Sequence, residues 1–493
     1  MANYQPVIGI ETHVQLKTKS KLFCACDNDA RDKAPNTTVC PVCMGFPGVL
    51  PVLNEQAVKL AIRAGLALNG KMGGVTKFDR KNYFYPDLPH GYQITQFDQP
   101  IVGRGYVEFP NPDRSDLSTG RTCKVGITRA HLESDAGKLT HPDGADYSLV
   151  DYNRAGTPLL EIVSEPDMGS SAEAKAYAQE IYNLMRYAEV SDANLYYGNM
   201  RFDVNISIRP FDSAQGKPAP MGTRTEIKNL NSFRAVEKAA EYEFKRQADL
   251  LGKGDRIIQE TRGWDDAKNR TFSQRSKEEA HDYRYFPEPD LPPLVITAAM
   301  IKQIKADLPS LPPQLRQEMS LAGIGLQEAE VLIGQPELMS IYAAVSQHQL
   351  EPNQLKRIVN WLVGEVQRIV LEHGYDGSSI EDDAGDLIKL SELVEQGKLS
   401  STAAKQVLTA VIQDHAHDVQ KIAEQMNLIQ VSDSAELEKI VAAVITDSPK
   451  PVEQYKAGDT KVLGFLVGQV MKASRGQANP PMVNDILKKQ LEK

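Results

Sequence analysis

Cys24-x-Cys26 is followed by thirteen residues and then Cys40-Pro41-Val42-Cys43. Two close pairs joined by a short loop are what a tetrahedral four-cysteine zinc site requires, because each pair wraps one turn around the metal. Gly45 then relieves the backbone as it curls toward the ion. Four thiolates leave no open coordination position, so zinc held this way is structural rather than catalytic. Four reduced thiols in a loop are the alternative. Cys123 stands apart and reads as a free thiol.

A second set of chemical groups recurs at strand spacing. In Val7 to Leu16, Gly9, Glu11, His13 and Gln15 share one face, and Ile8, Ile10, Val14 and Leu16 share the other. Arg129, His131, Glu133 and Asp135 alternate in the same way. So do Arg201, Asp203, Asn205, Ser207 and Arg209, opposite Phe202, Val204, Ile206 and Ile208. Arg224, Glu226 and Lys228 repeat the pattern, and Leu159-Leu160-Glu161-Ile162-Val163 sets one carboxylate inside an apolar strand. Each polar face alone is what a half-solvated antiparallel sheet shows. Together they mix carboxylates, imidazoles and guanidiniums. Carboxylates with a His suit Mg²⁺, a hard cation that prefers oxygen and keeps positions open for phosphate. Arginines on the same faces hold phosphoryl oxygens in bidentate geometry. The pattern points to a concave sheet that binds metal and a phosphorylated ligand. No Gly-x-x-x-x-Gly-Lys-[Ser/Thr] loop, strand-linked Gly-x-Gly-x-x-Gly or Gly-x-Ser-x-Gly elbow is present. A Gly/Ser-rich amidase signature is also missing.

The elements that must carry these groups are legible from composition and punctuation. The chain has 493 residues, 41% hydrophobic and 25% charged, enough for two to four domains. No apolar run is long enough to span a bilayer, which excludes an integral membrane protein. The first residues lack a signal peptide's basic and apolar segments, so a cytoplasmic protein is expected. A net charge of −9 supplies no general affinity for nucleic acid, although a local basic tail escapes such an average. Up to about residue 290 the chain is rich in β-branched residues and turns. Helices are expected after Asn54, from Ser170 with Glu173 completing a capping box, and from Phe233 to Leu251. The Pro-rich segment Phe286 to Pro293 is expected to be a domain boundary. Beyond it, Leu355 to Val370 carries a helical apolar stripe.

The opening run Val7-Ile8-Gly9-Ile10-Glu11-Thr12-His13-Val14-Gln15-Leu16 resembles that of the B subunits of bacterial tRNA-dependent amidotransferases. Similar matches are Lys77 to Asp87, Tyr92 to Phe97, His131 to Lys138, Asn153 to Asp167, Asp282 to Asp290 and the tail Gly464 to Gly476. These long motifs span nearly the whole chain. The resemblance implies an ATP-dependent ligase subunit for translation, acting within a heterotrimer. Such a subunit phosphorylates the side-chain carboxylate of Glu on misacylated tRNA(Gln), or of Asp on misacylated tRNA(Asn). Ammonia released from glutamine by an A subunit then displaces the phosphate, and a small C subunit holds the other two together. The missing amidase signature agrees with that division of labour.

Carried over by position, His13, Glu133 and Glu161 resemble the family's Mg²⁺ ligands. Glu11, Asp203 and Glu226 are assigned to a second metal or a transient ion on the ammonia path. Glu11, His13, Glu133 and Glu161 are thus the expected catalytic residues, with Arg201, Asp203 and Glu226 binding the cofactor. Ser134 stands where some relatives carry another acid and is left out. The four-cysteine motif at Cys24, Cys26, Cys40 and Cys43 is present in some members and degenerate in others, so structural Zn²⁺ is dispensable to the chemistry. Tyr83-Phe84-Tyr85 either belongs to the core or stacks bases of the tRNA 3′ end. His415 and His417 read as solvated helix residues. From Lys472 to Lys493, Lys472, Arg475, Lys488, Lys489 and Lys493 outnumber Asp485 and Glu492. That excess suits tRNA phosphates once the resemblance is counted. The expected fold is α+β, with an N-terminal cradle on an antiparallel β-sheet followed by two C-terminal all-α domains. The divisions are 1–294 for the catalytic cradle with its four-cysteine zinc knuckle, 295–405 for a helical domain and 406–493 for a tRNA-binding tail. Two rivals are a free-standing ammonia ligase, which would not need the tail, and a purely structural tRNA-binding subunit.

Overall fold

A computed structural model describes residues 4–113, 122–142, 144–210, 220–276, 282–373, 380–414, 418–430, 434–474 and 478–492. The chain forms two compact units, Met1–Gln314 and Leu315–Lys493. The first begins β1 (Tyr4–Gln15), α1 (Glu55–Ala67), β2 (Gly74–Thr76), β3 (Asp79–Asn82), β4 (Tyr92–Thr95) and β5 (Gly105–Pro110). It continues β6 (Thr122–Ser134), β7 (Lys138–Thr140), β8 (Leu149–Asp151), β9 (Pro158–Ser164), α2 (Ser171–Tyr187) and β10 (Met200–Pro210). Then come β11 (Thr225–Leu230), α3 (Phe233–Gly252), β12 (Glu260–Asp265), β13 (Arg270–Ser276), β14 (Phe286–Pro287), β15 (Leu294–Ile296) and α4 (Ala298–Ala306).

Eight of these strands form one sheet in the order β13-β12-β11-β10-β1-β9-β6-β5. Neighbours are antiparallel except β11 and β12, which α3 joins as a crossover. The even-numbered apolar residues do what their period dictates. Ile8, Ile10, Val14, Leu132, Leu160, Ile162, Phe202, Val204 and Ile206 join one buried cluster with Ala61 of α1, Ile181 and Met185 of α2, and Val236 and Ala240 of α3. Burying each such aliphatic side chain is worth about 2 kcal/mol, and this layer holds the sheet against its helices. The helices start as their caps require. The Asn54 side chain accepts from the Gln56 and Ala57 amides, and Ser170 accepts from Glu173. Glu173 itself accepts from Gly169 N–H at 2.7 Å, one residue before the N-cap.

The expected boundary at the Pro-rich segment does not coincide with the end of the first unit. There β14 pairs with β3 and β15 with β2. Met300, Ile301 and Ile304 of α4 pack on the main core, so the unit runs on to Gln314.

The second unit begins within α5 (Pro312–Leu321), and α6 (Leu326–Gly334), α7 (Pro336–Ser346) and α8 (Pro352–Trp361) lead into a π turn at Leu362–Val366 and α9 (Gln367–His373). The apolar stripe is therefore helical, with one wider turn inside it. α10 (Ile380–Glu395), α11 (Ser401–Asp414), α12 (Val419–Gln425), α13 (Ser434–Asp447), α14 (Pro449–Lys456), α15 (Val462–Ala473) and α16 (Pro480–Leu491) follow. Residue 405, the expected seam, lies inside α11. A separate apolar cluster does form further on, from Leu437 and Val441 of α13, Leu466 and Val470 of α15, and Val483 and Leu487 of α16. His415, His417, Arg475 and Lys493 lie outside the described residues. No helix among the described residues is long and apolar enough to cross a membrane.

Candidate functional site

The register of the sheet brings polar residues from four strands into one row. His131 on β6 faces Glu161 on β9, Glu161 faces His13 on β1, and His13 faces Arg201 on β10. Glu133 follows two residues after His131 on the same face. Glu161 escapes its aliphatic neighbours because Leu160 and Ile162 turn to the helix-covered core while it turns away. His13 Nε2 lies 3.7 Å from Glu161 Oε2, and His131 Nε2 lies 3.6 Å from the same oxygen. His131 Nε2 is also 3.7 Å from Glu133 Oε2. One donor atom each from His13, Glu133 and Glu161 fall within 4.8 Å of one another.

Burial alone would lower the basicity of His13, but the hydrogen bond and charge of Glu161 overcome it and raise its pKa to about 9. Glu161 is held well below the usual carboxylate range despite its burial, by His131 and His13. The Nδ1 atoms of both histidines are buried without a hydrogen-bond partner. Two carboxylates and one imidazole make a donor set that fits Mg²⁺ or Mn²⁺.

Beside this row Glu11 faces Asp203 across β1 and β10, and Glu226 faces Asn205 across β10 and β11. The carboxylates of Glu11, Asp203 and Glu226 again fall within 4.8 Å of one another. An extra residue in β11 adds a backbone contact to Asp203. Between Ile227 and Leu230 the strand outruns its partner, and Asn229 takes φ 59°. Its N–H then donates to Asp203 Oδ1 at 2.9 Å. Burial raises the Glu11 pKa, and Glu161, Asp203 and Glu226 push it the same way. Lys228 stands against the trio, with Nζ 3.4 Å from Asp203 and 3.1 Å from Glu226. A concentration of negative charge this strong favours a bound cation.

Arg201 belongs to neither trio. It donates to Asp135 Oδ1 at 3.1 Å, and Arg154 Nε lies 3.5 Å from the other oxygen. The four cysteines do come together: one sulfur from each lies within 4.8 Å of the others, with Cys40 and Cys43 3.9 Å apart. A tetrahedron with Zn–S bonds of about 2.3 Å has edges of about 3.8 Å, so the sulfurs fit a zinc tetrathiolate. Cys123 is a free thiol that donates to Glu173 at 3.6 Å, and burial pushes its pKa up to about 12.

Several residues at the site escape sequence reasoning. His131 touches both Glu133 and Glu161 and is left out of the expected ligands, although its alternation with Glu133 was the available signal. Lys81 on β3 lies 5.0 Å from the Tyr283 ring centroid and 5.7 Å from that of Tyr83. Its ammonium is favoured, against burial, by Glu133 and Glu161. Tyr285 stacks on Phe97 at 4.0 Å. Tyr83 thus faces this cluster, whereas Phe84 and Tyr85 are exposed. No local pattern announces these contacts, because Tyr283 and Lys81 are far apart in the chain.

Residues 6–302 match the family described as GatB/GatE catalytic domain, and residues 345–491 match the GatB domain. The chain is 45% identical over 491 residues to a Thermoanaerobacter pseudethanolicus protein named as the B subunit of an aspartyl/glutamyl-tRNA(Asn/Gln) amidotransferase, covering 99% of this chain and 100% of that one. A protein of the same name from Dehalococcoides mccartyi is 47% identical over 504 residues, with both chains fully covered. A third, from Clostridium beijerinckii, is 44% identical over 492 residues, covering 99% of each.

Proposed function

Since the chain belongs to the family of aspartyl/glutamyl-tRNA(Asn/Gln) amidotransferase B subunits, we propose that it activates the side-chain carboxylate of Glu on tRNA(Gln), or of Asp on tRNA(Asn), at the expense of ATP. The observation that carries this reading is the meeting of His13, Glu133 and Glu161, from three strands, beside Glu11, Asp203 and Glu226. The first trio would hold Mg²⁺ and the second a further cation. Bound there, Mg²⁺ supplies charge neutralisation for the phosphates of ATP. A carboxylate is a poor electrophile because oxide would have to leave. Its oxygen attacks the γ-phosphorus and ADP departs. Ammonia then adds to the acyl carbon, phosphate leaves with the C–O bond, and a proton is lost to give the amide.

The chain's own residues prepare this chemistry. His131 orients Glu161 and Glu133 from between them. Lys81, beside the same carboxylates, offers a cation to a bound phosphate or carboxylate. With Asp135 holding Arg201, the guanidinium is a fixed wall of the site and reaches phosphate only by giving up that pair. Ammonia comes from a glutaminase A subunit, and a small C subunit completes the heterotrimer, in the cytoplasm. The helical second unit grips tRNA, with the exposed Lys472, Lys488 and Lys489 meeting phosphates. The four cysteines would hold a structural zinc.

The test is phosphoryl transfer from γ-labelled ATP in the complex reconstituted with its partners, using misacylated tRNA and no ammonia source. ATP turnover that depends on misacylated tRNA and disappears in Glu133→Gln supports the assignment. Equal turnover in both proteins sinks it and favours a structural tRNA-binding subunit.

A further inference from the structure

Lys21 is fully buried, at 0% exposure. Lysine is rarely found in that position without a carboxylate partner, because a buried ammonium is costly unless paired. Here no carboxylate among the described residues stands within ion-pair distance of it. Among the described residues its ammonium meets the Cys43 sulfur, 3.8 Å away, and the Tyr152 carbonyl, 3.4 Å away. Among the described residues no opposite charge therefore meets it unless the cysteines supply one. They do so when they hold a metal, since a dication bound by four thiolates is left doubly negative.

We infer that Lys21 is the outer cation of the cysteine site: its ammonium donates to the Cys43 thiolate and offsets the charge of a metal tetrathiolate. This rests on the zinc reading proposed above. Hydrogen bonds from outer residues set ligand orientation and metal affinity as much as the ligands do. Lys21 is also placed to pass that order on. Its own N–H donates to Cys26 O at 3.0 Å, and the next amide, Leu22 N–H, donates to Gly156 O at 2.9 Å. Gly156 sits at φ +83°, where a Cβ would stand 3.5 Å from Cys43 Cβ and 3.6 Å from Lys21 Cδ. It immediately precedes Thr157 and the start of β9, the strand that presents Glu161. Lys21 is thus a positioning residue that ties the cysteine loop to the root of a strand bearing a candidate ligand.

The experiment is zinc competition against a chromophoric chelator on the full chain, wild type and Lys21→Met, with cobalt substitution to display thiolate coordination. The wild type should bind one zinc and show the intense sulfur-to-cobalt bands of a tetrathiolate. Lys21→Met should keep those bands but bind zinc about 10- to 100-fold more weakly. Without metal the variant should melt at or above the wild-type temperature, because an uncompensated charge has gone; with zinc it should melt below it. Equal zinc affinity in the two proteins overturns the role of Lys21 and leaves the zinc reading intact. A wild type that binds no zinc and shows no tetrathiolate spectrum overturns both. If Lys21→Met does not fold, a crystal structure of the zinc-loaded wild type decides: Nζ within hydrogen-bonding reach of Cys43 Sγ supports the inference, and Nζ turned away from every sulfur refutes it.

Discussion

Replacing Asp135 by Asn should loosen the floor of the site by an amount the structure specifies. The Asp135 carboxylate is 4% exposed and accepts from Arg201 Nη2 at 3.1 Å, Gln15 Nε2 at 3.3 Å and the Ala136 amide at 2.9 Å. Burial works against its ionisation, but Arg201 and Arg154 prevail and hold its pKa at about 2, against an ordinary 3.8. That depression corresponds to about 2 kcal/mol of stabilisation at neutral pH. Because the folded value is below the unfolded one, the contribution is fully present above pH 3.8 and is lost as the pH falls toward about 2. Two backbone bonds report on it: Gly156 N–H to Asp135 O and Asp135 N–H to Thr157 O, both 2.9 Å. Hydrogen exchange at these amides, read by mass spectrometry, should quicken by about 30-fold in Asp135→Asn. The difference from wild type should stay constant from pH 8 down to about pH 5. Exchange within about 3-fold of wild type, or a difference that already collapses between pH 7 and pH 5, would refute this account of the Arg201–Asp135–Arg154 arrangement.

Three further outcomes are expected. Since the His13 proton, with a pKa of about 9, must leave before a metal binds, Mn²⁺ affinity should rise roughly 10-fold per pH unit between pH 7 and pH 8; calorimetry in buffers of differing ionisation enthalpy measures both the affinity and the proton released, and a flat profile argues against His13 as a ligand. Glu11→Gln removes one of three crowded carboxylates while keeping the acceptor that Asn205 uses at 3.0 Å, so the metal-free protein should gain about 1 kcal/mol in thermal unfolding and bind Mn²⁺ less tightly. Changing Lys472, Lys488 and Lys489 together to Gln should lower the slope of log affinity for tRNA against log salt by about 2 to 3, without altering ATP turnover at saturating tRNA; filter binding across a salt series gives the slope.

The sequence alone determined whatever depends on near neighbours. Alternation assigned Glu11, His13, Glu133, Glu161 and Asp203 to polar faces, because strand side chains change sides at every residue. Cysteine spacing grouped Cys24, Cys26, Cys40 and Cys43, and the caps at Asn54 and Ser170 marked helix starts through bonds only two or three residues long. Only the tertiary structure decided which faces meet. That β1 lies between β10 and β9, so that His13 faces Glu161 and Glu11 faces Asp203, is a matter of strand order and register between segments over a hundred residues apart. The same holds for His131 between two carboxylates, for Lys81 among tyrosines brought by β14's neighbourhood, and for Arg201 engaged by Asp135. It holds too for the first unit ending at Gln314, since β15 must find β2 before the Pro-rich segment shows itself as a turn within the unit. Local chemistry chooses the face a residue presents, but pairing partners are chosen by the summed burial of the whole sheet against its helices, which no short window of sequence contains.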